Sequence, residues 1–286
     1  MAPVMRHGKV ACLSAAGFHD MAYTEWGPET AARPVVCVHG LTRNARDFDH
    51  LAGRLAEAGR RVVCPDVVGR GDSGRLTDPK GYGYPQYLAD MTVLLARLDC
   101  AEVDWVGTSM GGLIGMMLAA QPGNPIRRLV VNDVGPFVPR ASLERIATYV
   151  GKNPHFPDLA AAEAYYRKVH APFGALSDAQ WRHMAETSAR PDPAGGYRLG
   201  YDPGIAAAFT PGEMKDVDLW PLWDRIVCPT LVLRGADSDL LLPETARDMT
   251  ERGPKAKLLE IAGCGHAPAL MEAEQSGPIL EWLAGD

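Results

Sequence analysis

Short apolar runs rich in β-branched residues alternate along the chain with segments of helical periodicity. Such alternation is typical of βαβ units and predicts an α/β fold with a mostly parallel sheet flanked by helices. The runs are apolar almost throughout, as expected of strands that are covered on both faces. The predicted strands span residues 34–38, 61–65, 103–107, 128–132, 230–234 and 257–261. Two earlier runs, 9–13 and 21–26, predict an antiparallel edge and bring the sheet to eight strands.

Helical periodicity fills the intervals between these runs. In the segment 45–58, Phe48, Leu51 and Leu55 recur at helical spacing, and Gly59 follows as a C-terminal cap. The remaining predicted helices span residues 84–98, 110–121, 243–251 and 268–283, the last with an interruption at Gly277 and Pro278.

One block of about ninety residues breaks the alternation. It is rich in proline, and helical patterns occupy its segments 142–150, 158–170 and 178–188. A structureless loop of that length is improbable in a compact domain. We therefore predict a helical cap, or lid, inserted at 135–225 into a core formed by 1–134 and 226–286.

Composition narrows the function classes. The chain has 286 residues, 47% of them hydrophobic and 22% charged, with a net charge of −6. Its Lys and Arg residues are scattered, so no basic stripe favours nucleic-acid binding. No uncharged apolar stretch reaches the 18 residues of a membrane span, and the N-terminal segment has no apolar core of signal-peptide length. The six cysteines form no CxxC pair and have no zinc-ligand spacing, which favours reduced thiols in the cytoplasm and no metal site.

The strongest local motif is Gly107-Thr-Ser109-Met-Gly111, a G-x-S-x-G sequence between a predicted strand and a predicted helix. A serine hydroxyl becomes a useful nucleophile only when it is exposed to a base. A sharp strand-to-helix turn exposes it, and small residues two positions before and after avoid a collision across the turn. This nucleophile elbow predicts Ser109 as the catalytic nucleophile.

A histidine follows the last predicted strand in a glycine-rich loop, Gly263-Cys-Gly-His266. Functional sites of open α/β sheets form at the carboxyl ends of the strands, where Ser109 also lies. We therefore predict that His266 is the base that takes the proton of Ser109.

The acid that orients the histidine has several candidates. Asp237 and Asp239 both follow the predicted strand 230–234, and we favour Asp239 because of its distance from Pro243. Asp237 is the alternative acid. Asp133, which follows the preceding strand, is a third candidate.

These ordered motifs resemble the α/β-hydrolase superfamily, in particular bacterial carboxylesterases and lactonases with a helical cap. Val38-His-Gly-Leu41 looks like the family's oxyanion loop, and Asp66-Val-Val-Gly-Arg-Gly-Asp-Ser73 looks like its D-x-x-G-x-G-x-S segment. The resemblance implies an oxyanion hole from the backbone N–H groups of Leu41 and Met110. The acid loop departs from the family pattern, since Gly235 to Asp239 is one residue longer than the common G-x-x-D.

The motifs together predict a serine hydrolase that cleaves carboxylic ester-type bonds through an acyl-enzyme on Ser109. Short or medium acyl esters, lactones and aliphatic oligoesters are the small-molecule substrates that we expect, with no cofactor and no metal. Carbon–carbon bond hydrolysis, cofactor-free perhydrolase or haloperoxidase activity, and a non-enzymatic ligand-binding role are the alternatives. The sequence leaves open the oligomeric state, including a homo-oligomer. The aromatic residues Phe137, Phe156, Tyr165, Tyr166, Phe173 and Trp181 are candidates for an apolar pocket lining. We expect Arg43 to be exposed to solvent, and a place in the pocket lining is the alternative.

Overall fold

A computed structural model describes residues 4–30, 33–210 and 212–285. Residues 1–3 and 286, at the two ends of the predicted core, lie outside the described residues. The strands are β1 (Arg6–Ser14), β2 (Gly17–Trp26), β3 (Val35–Val38), β4 (Val62–Pro65), β5 (Val103–Thr108), β6 (Ile126–Asn132), β7 (Phe137–Val138), β8 (His155–Phe156), β9 (Ala189–Pro191), β10 (Tyr197–Leu199), β11 (Val217–Asp218), β12 (Thr230–Gly235) and β13 (Lys257–Ile261).

The described helices are α1 (Asp49–Glu57), α2 (Tyr84–Arg97), α3 (Met110–Ala119), α4 (Arg140–Ala147), α5 (Leu159–Val169), α6 (Asp178–Ser188), α7 (Trp220–Trp223), α8 (Pro243–Glu251) and α9 (Ala273–Ala284). Short 3-10 turns occupy Ala45–Phe48, Pro79–Gly81, Ala171–Phe173 and Pro203–Ala208. None of these helices combines the length and the apolarity needed to cross a lipid bilayer.

Eight strands form the central sheet, in the order β1-β2-β4-β3-β5-β6-β12-β13. The pairs from β4 to β13 are parallel, while β2 runs antiparallel to both β1 and β4. The predicted eight-stranded, mostly parallel sheet is therefore confirmed, and so is its antiparallel edge. The parallel arrangement places the carboxyl ends of β5, β6 and β12 next to one another at one edge of the sheet.

Both faces of the sheet are covered by helices, which explains why its central strands are apolar throughout. In β3, Val35 and Cys37 pack on one face with Leu51 of α1 and Ile279 of α9. The alternate residues Val36 and Val38 pack on the other face with the apolar sides of α2 and α3. The period of two along the strand thus divides the core into two layers.

The described part of the block 135–225 holds α4, α5 and α6, as the helical pattern predicts, and also the short helix α7 and five short strands, which were not predicted. Strands β8, β10 and β9 form a three-stranded sheet, and β11 pairs with β7. Strands of two or three residues carry no readable alternation, so the sequence pattern could not reveal them. We use the name cap below for the residues 135–225; their division from the core as a separate domain stays a prediction.

The last helix differs from its prediction. It begins at Ala273 rather than near residue 268, and it continues through Gly277 and Pro278. Pro278 is the sixth residue of this helix. The predicted interruption at Gly277 and Pro278 is therefore absent.

Candidate active site

Ser109 lies at the turn between β5 and α3, with the backbone angles φ 51° and ψ −115°. This strained conformation depends on close backbone contacts that only glycine permits. A Cβ atom on Gly107 would lie 2.2 Å from the carbonyl oxygen of Gly111, and one on Gly111 would lie 2.0 Å from that of Val38. The turn exposes the Ser109 hydroxyl above the carboxyl edge of the sheet.

His266 lies in the loop after β13, and backbone hydrogen bonds hold that loop on both sides. Gly265 N–H donates to Pro172 of the cap at 2.7 Å, and Asp237 N–H donates to Cys264 at 2.9 Å. The imidazole Nε2 atom lies 2.9 Å from the Ser109 Oγ atom. The structure therefore brings together the predicted nucleophile and the predicted base, which are 157 residues apart in the chain.

Asp133 is the carboxylate that is hydrogen-bonded to His266. His266 Nδ1–H donates to Asp133 Oδ2 at 2.8 Å. The same carboxylate accepts hydrogen bonds from Ser238 Oγ at 2.6 Å and from Gly235 N–H at 2.7 Å. Asp133 is 0% exposed, so the carboxylate is fixed by three donors rather than solvated by water.

The prediction that Asp239 contacts His266 is wrong. Its side chain is 52% exposed and forms an ion pair with Arg145 of the cap helix α4. The alternative, Asp237, is exposed and donates its backbone N–H to the histidine loop. Strand order gives the physical reason, because β6 lies directly beside β5, whereas β12 lies one strand further from Ser109.

The loop after β3 lies beside the nucleophile. A Cβ atom on Gly40 would be 3.7 Å from the Ser109 Cβ atom. A cleft lies above Ser109, and Leu41 is one of the residues that line it. Met110 is the first residue of α3, where a helix leaves its N–H without an internal acceptor. Neither the Leu41 N–H nor the Met110 N–H has a hydrogen-bond acceptor in the part of the chain that the structure describes. Both N–H groups are thus available to a negatively charged oxygen at Ser109.

His39 orders this loop through two hydrogen bonds. Its Nδ1–H donates to the Gly40 carbonyl oxygen at 2.7 Å, and its Nε2 accepts from Val67 N–H at 3.0 Å. Complete burial lowers the pKa of His39 to about 3. The ring is therefore neutral and keeps both hydrogen bonds at neutral pH.

Arg43 is buried, at 4% exposure, so the expectation that it faces solvent is wrong. It donates to both carboxylate oxygens of Asp47, at 2.6 and 2.8 Å, and to Ser188 of the cap at 3.0 Å. Its Nη1–H also lies 3.5 Å from the Nε2 atom of His170. The long aliphatic stem and planar head of arginine suit such a boundary between core and cap.

His170 is a pocket residue that the sequence did not single out. Its ring packs between Tyr166 and Phe173, with ring centroids 5.9 and 4.6 Å away. Burial, followed by the charges of Arg43 and His266, lowers the pKa of His170 well below its ordinary value. This neutral imidazole and Arg43 form a polar wall of the cleft above Ser109.

The rest of the lining is mixed. Of the six aromatic candidates, Phe173 lines the cleft, while Phe156, Tyr166 and Trp181 are buried in the core. The cap also contributes Arg145, Ile146, Tyr149, Val169 and Met184. Among the described residues, the cleft holds no group of three Cys, His or acidic side chains close enough to bind one metal ion.

Comparison with known proteins identifies this arrangement. The model of the alpha/beta hydrolase family matches residues 35–276, which include the elbow, Asp133 and His266. The chain belongs to the alpha/beta hydrolase family. A crystal structure of an alpha/beta hydrolase from Novosphingobium aromaticivorans superposes with a TM-score of 0.85 and 37% identity, over 98% of this chain and 99% of that one. A crystal structure of a hydrolase from Rickettsia typhi superposes with a TM-score of 0.91 and 33% identity, over 98% of both chains.

One curated relative of this alpha/beta hydrolase bears on its chemistry. It is the 3-hydroxybutyrate-oligomer hydrolase of Cupriavidus necator, 44% identical over 98% of both chains. The predicted class of enzyme is confirmed, and the chain is a carboxylic ester hydrolase. The other activities considered from the sequence are not favoured.

Proposed function

We propose that this hydrolase cleaves the ester bonds of 3-hydroxybutyrate oligomers, with Ser109, His266 and Asp133 as its catalytic triad. The observation that carries the triad is the continuous hydrogen-bond chain from Ser109 Oγ through both nitrogens of His266 to Asp133. The identity to the Cupriavidus necator enzyme over 98% of both chains supports the substrate class.

The geometry is suited to acyl transfer in two steps. As Ser109 Oγ attacks the ester carbonyl, its proton passes to His266 Nε2, 2.9 Å away. Asp133 keeps the Nδ1–H tautomer and stabilises the imidazolium that forms. The C–O bond then breaks as His266 gives its proton to the departing alkoxide oxygen of the next 3-hydroxybutyrate unit, which leaves as an alcohol and leaves an acyl-enzyme on Ser109. Water attacks this ester with the same histidine as base, which releases the acid and restores Ser109.

The oxyanion of both tetrahedral intermediates is assigned to the N–H groups of Leu41 and Met110. The N-terminal end of α3 adds the positive end of a helix dipole at Met110. Removing one donor of such a pair typically lowers the rate by about 100- to 1000-fold. His39 acts here as a positioning residue, because its two hydrogen bonds fix the loop that presents Leu41.

The lining of the cleft agrees with a short, repeating, partly polar acyl unit. Ile146, Val169 and Phe173 offer apolar surface for methyl and methylene groups, while Arg43 and His170 offer hydrogen-bond donors. Each 3-hydroxybutyrate oligomer also ends in a carboxylate. The guanidinium groups of Arg43 and Arg145 in the lining are paired with Asp47 and Asp239, so they offer this carboxylate N–H donors and not an excess of positive charge.

The test uses purified protein with the 3-hydroxybutyrate dimer and trimer, and follows the free acid by chromatography. Wild type should release 3-hydroxybutyrate, and Ser109→Ala should lower this rate by about 10⁴-fold or more. A fluorophosphonate probe should label wild type and not Ser109→Ala. Circular dichroism spectra of both proteins should match, which shows that the variant is folded.

The outcomes separate the mechanism from the substrate. Full activity of Ser109→Ala in a clean preparation would refute the mechanism. Hydrolysis of p-nitrophenyl butyrate or a simple lactone with no cleavage of the oligomers would refute the proposed substrate class. The proposed catalytic triad would be unaffected by that result.

A cytoplasmic location belongs to the same proposal. All six cysteines are free thiols, and Cys12, Cys37, Cys64 and Cys264 are buried. Unpaired thiols are typical of proteins in a reducing compartment. Fractionation of the native host followed by immunoblotting tests this location directly.

A further inference from the structure

Three metal-ligating side chains meet between the β1–β2 hairpin and helix α2. Cys12 on β1 and His19 on β2 are directly opposite each other in the hairpin register. Asp90 lies on α2, which packs against β1. One ligand atom from each of the three lies within 4.8 Å of the other two, and all three residues are buried. None of them lines the cleft above Ser109.

The hydrogen bonds within this cluster leave it incompletely satisfied. One nitrogen of His19, Nε2, lies 3.0 Å from Asp90 Oδ2. The other, Nδ1, is buried and has no hydrogen-bond partner among the described residues. The Cys12 Sγ atom makes a weak contact with the Val10 carbonyl oxygen at 4.0 Å. Since buried polar atoms are nearly always paired, the unpartnered Nδ1 atom of a ring whose Nε2 atom faces Asp90 points to a ligand.

We propose that Cys12, His19 and Asp90 bind one thiophilic divalent cation of the Zn²⁺ class. Thiolate, imidazole and carboxylate are the three ligand types that zinc takes in proteins, at about 2.0–2.3 Å. Donor atoms that already lie within 4.8 Å of one another need only small side-chain movements to reach one ion. On binding, the Cys12 thiol loses its proton to solvent and an S–metal bond forms. A thiolate, a carboxylate and a divalent cation then sum to zero charge, which suits a buried site.

Gln86 connects the cluster with the surface. Its Nε2–H donates to Asp90 Oδ1 at 2.7 Å, and the residue also lines a surface cleft with Leu76 and Asp78. Because the bound ion would tie the hairpin to α2, its role is structural rather than catalytic.

The test is a cobalt titration of the full chain after removal of bound metals with a chelator. Wild type should develop the near-ultraviolet absorption band of a thiolate–Co²⁺ bond, saturating at one ion per chain, and Zn²⁺ should displace it. Zn²⁺ should also raise the melting temperature of wild type. Both effects should be lost in Cys12→Ala and kept in Cys100→Ser, which replaces a cysteine outside the cluster.

Absence of the band in wild type would overturn the proposal, as would a band that persists in Cys12→Ala. If Cys12→Ala does not fold, Asp90→Asn replaces it. A full-strength band and an unchanged zinc-dependent rise in melting temperature in Asp90→Asn would remove Asp90 from the site. Ester hydrolysis by Ser109 does not enter these readouts, so they are independent of the proposed substrate.

Discussion

Asp133 and His266 are joined by a hydrogen bond of 2.8 Å between Oδ2 and Nδ1, although one follows β6 and the other follows β13. The Asp133 backbone N–H donates to the carbonyl oxygen of Leu233 in β12 at 2.8 Å. This bond holds Asp133 at the ends of the neighbouring strands β6 and β12. Ser238, in the loop after β12, donates to the same carboxylate oxygen as His266. The loop predicted to supply the acid therefore supplies a hydrogen bond to it instead.

This relationship predicts opposite outcomes for two conservative substitutions. Asp133→Asn should lower kcat by about 10⁴-fold, because an amide no longer enforces the Nδ1–H tautomer of His266. Asp239→Asn should keep kcat close to that of wild type, because it disturbs an exposed ion pair with Arg145. Initial rates on p-nitrophenyl butyrate for both variants check the prediction. A large loss of kcat in folded Asp239→Asn, with Asp133→Asn still active, would reverse the assignment.

The elements that position the triad were predictable because each has a local signature. The apolar runs and their intervals predict the eight-stranded sheet, and the small residues around Ser109 predict the elbow. The identity of the acid depends on which strand lies beside β5, and strand order is a property of the whole sheet. Three carboxylates after two adjacent strands look equivalent in the sequence, and only their distances from His266 separate them.

The sequence also did not predict which charged residues are buried. Arg43 is a charged residue in a polar loop, which by itself indicates exposure. Its burial depends on Ser188 and His170, which belong to the cap and lie more than 120 positions away. The Cys12–His19–Asp90 cluster depends in the same way on hairpin register and on the packing of α2.

The elbow predicts a contrast between two glycines. Gly111→Ala should abolish activity and lower the free energy of unfolding by about 3 kcal/mol or more, because the new Cβ atom would lie 2.0 Å from the Val38 carbonyl oxygen. Gly53→Ala in α1 meets nothing within 4 Å and should raise stability by up to about 1 kcal/mol. Urea unfolding and ester hydrolysis of both variants provide the measurement. An active, stable Gly111→Ala protein would show that the elbow is not constrained in this way.

Buried neutral histidines predict how stability depends on pH. Burial lowers the pKa of His39 to about 3 and the pKa of His170 well below its ordinary value. As the pH falls below about 6.5, the unfolded chain takes up these protons before the folded one. Each histidine therefore removes up to about 1.4 kcal/mol of stability per pH unit. Burial raises the pKa of Asp66 to about 6, so below that pH the folded state binds this proton first and offsets part of the loss.

His170→Phe isolates one of these contributions, because a phenyl ring keeps the stacking between Tyr166 and Phe173 but cannot be protonated. Between pH 6 and pH 5, the free energy of unfolding should fall less steeply in this variant than in wild type, by up to about 1.4 kcal/mol per pH unit. Urea denaturation at half-unit pH steps measures both curves. His50→Asn, which replaces an exposed histidine, is the control and should keep the wild-type slope. Parallel curves for wild type and His170→Phe would mean that His170 does not resist protonation in the folded chain, and its imidazole beside Arg43 would then be cationic.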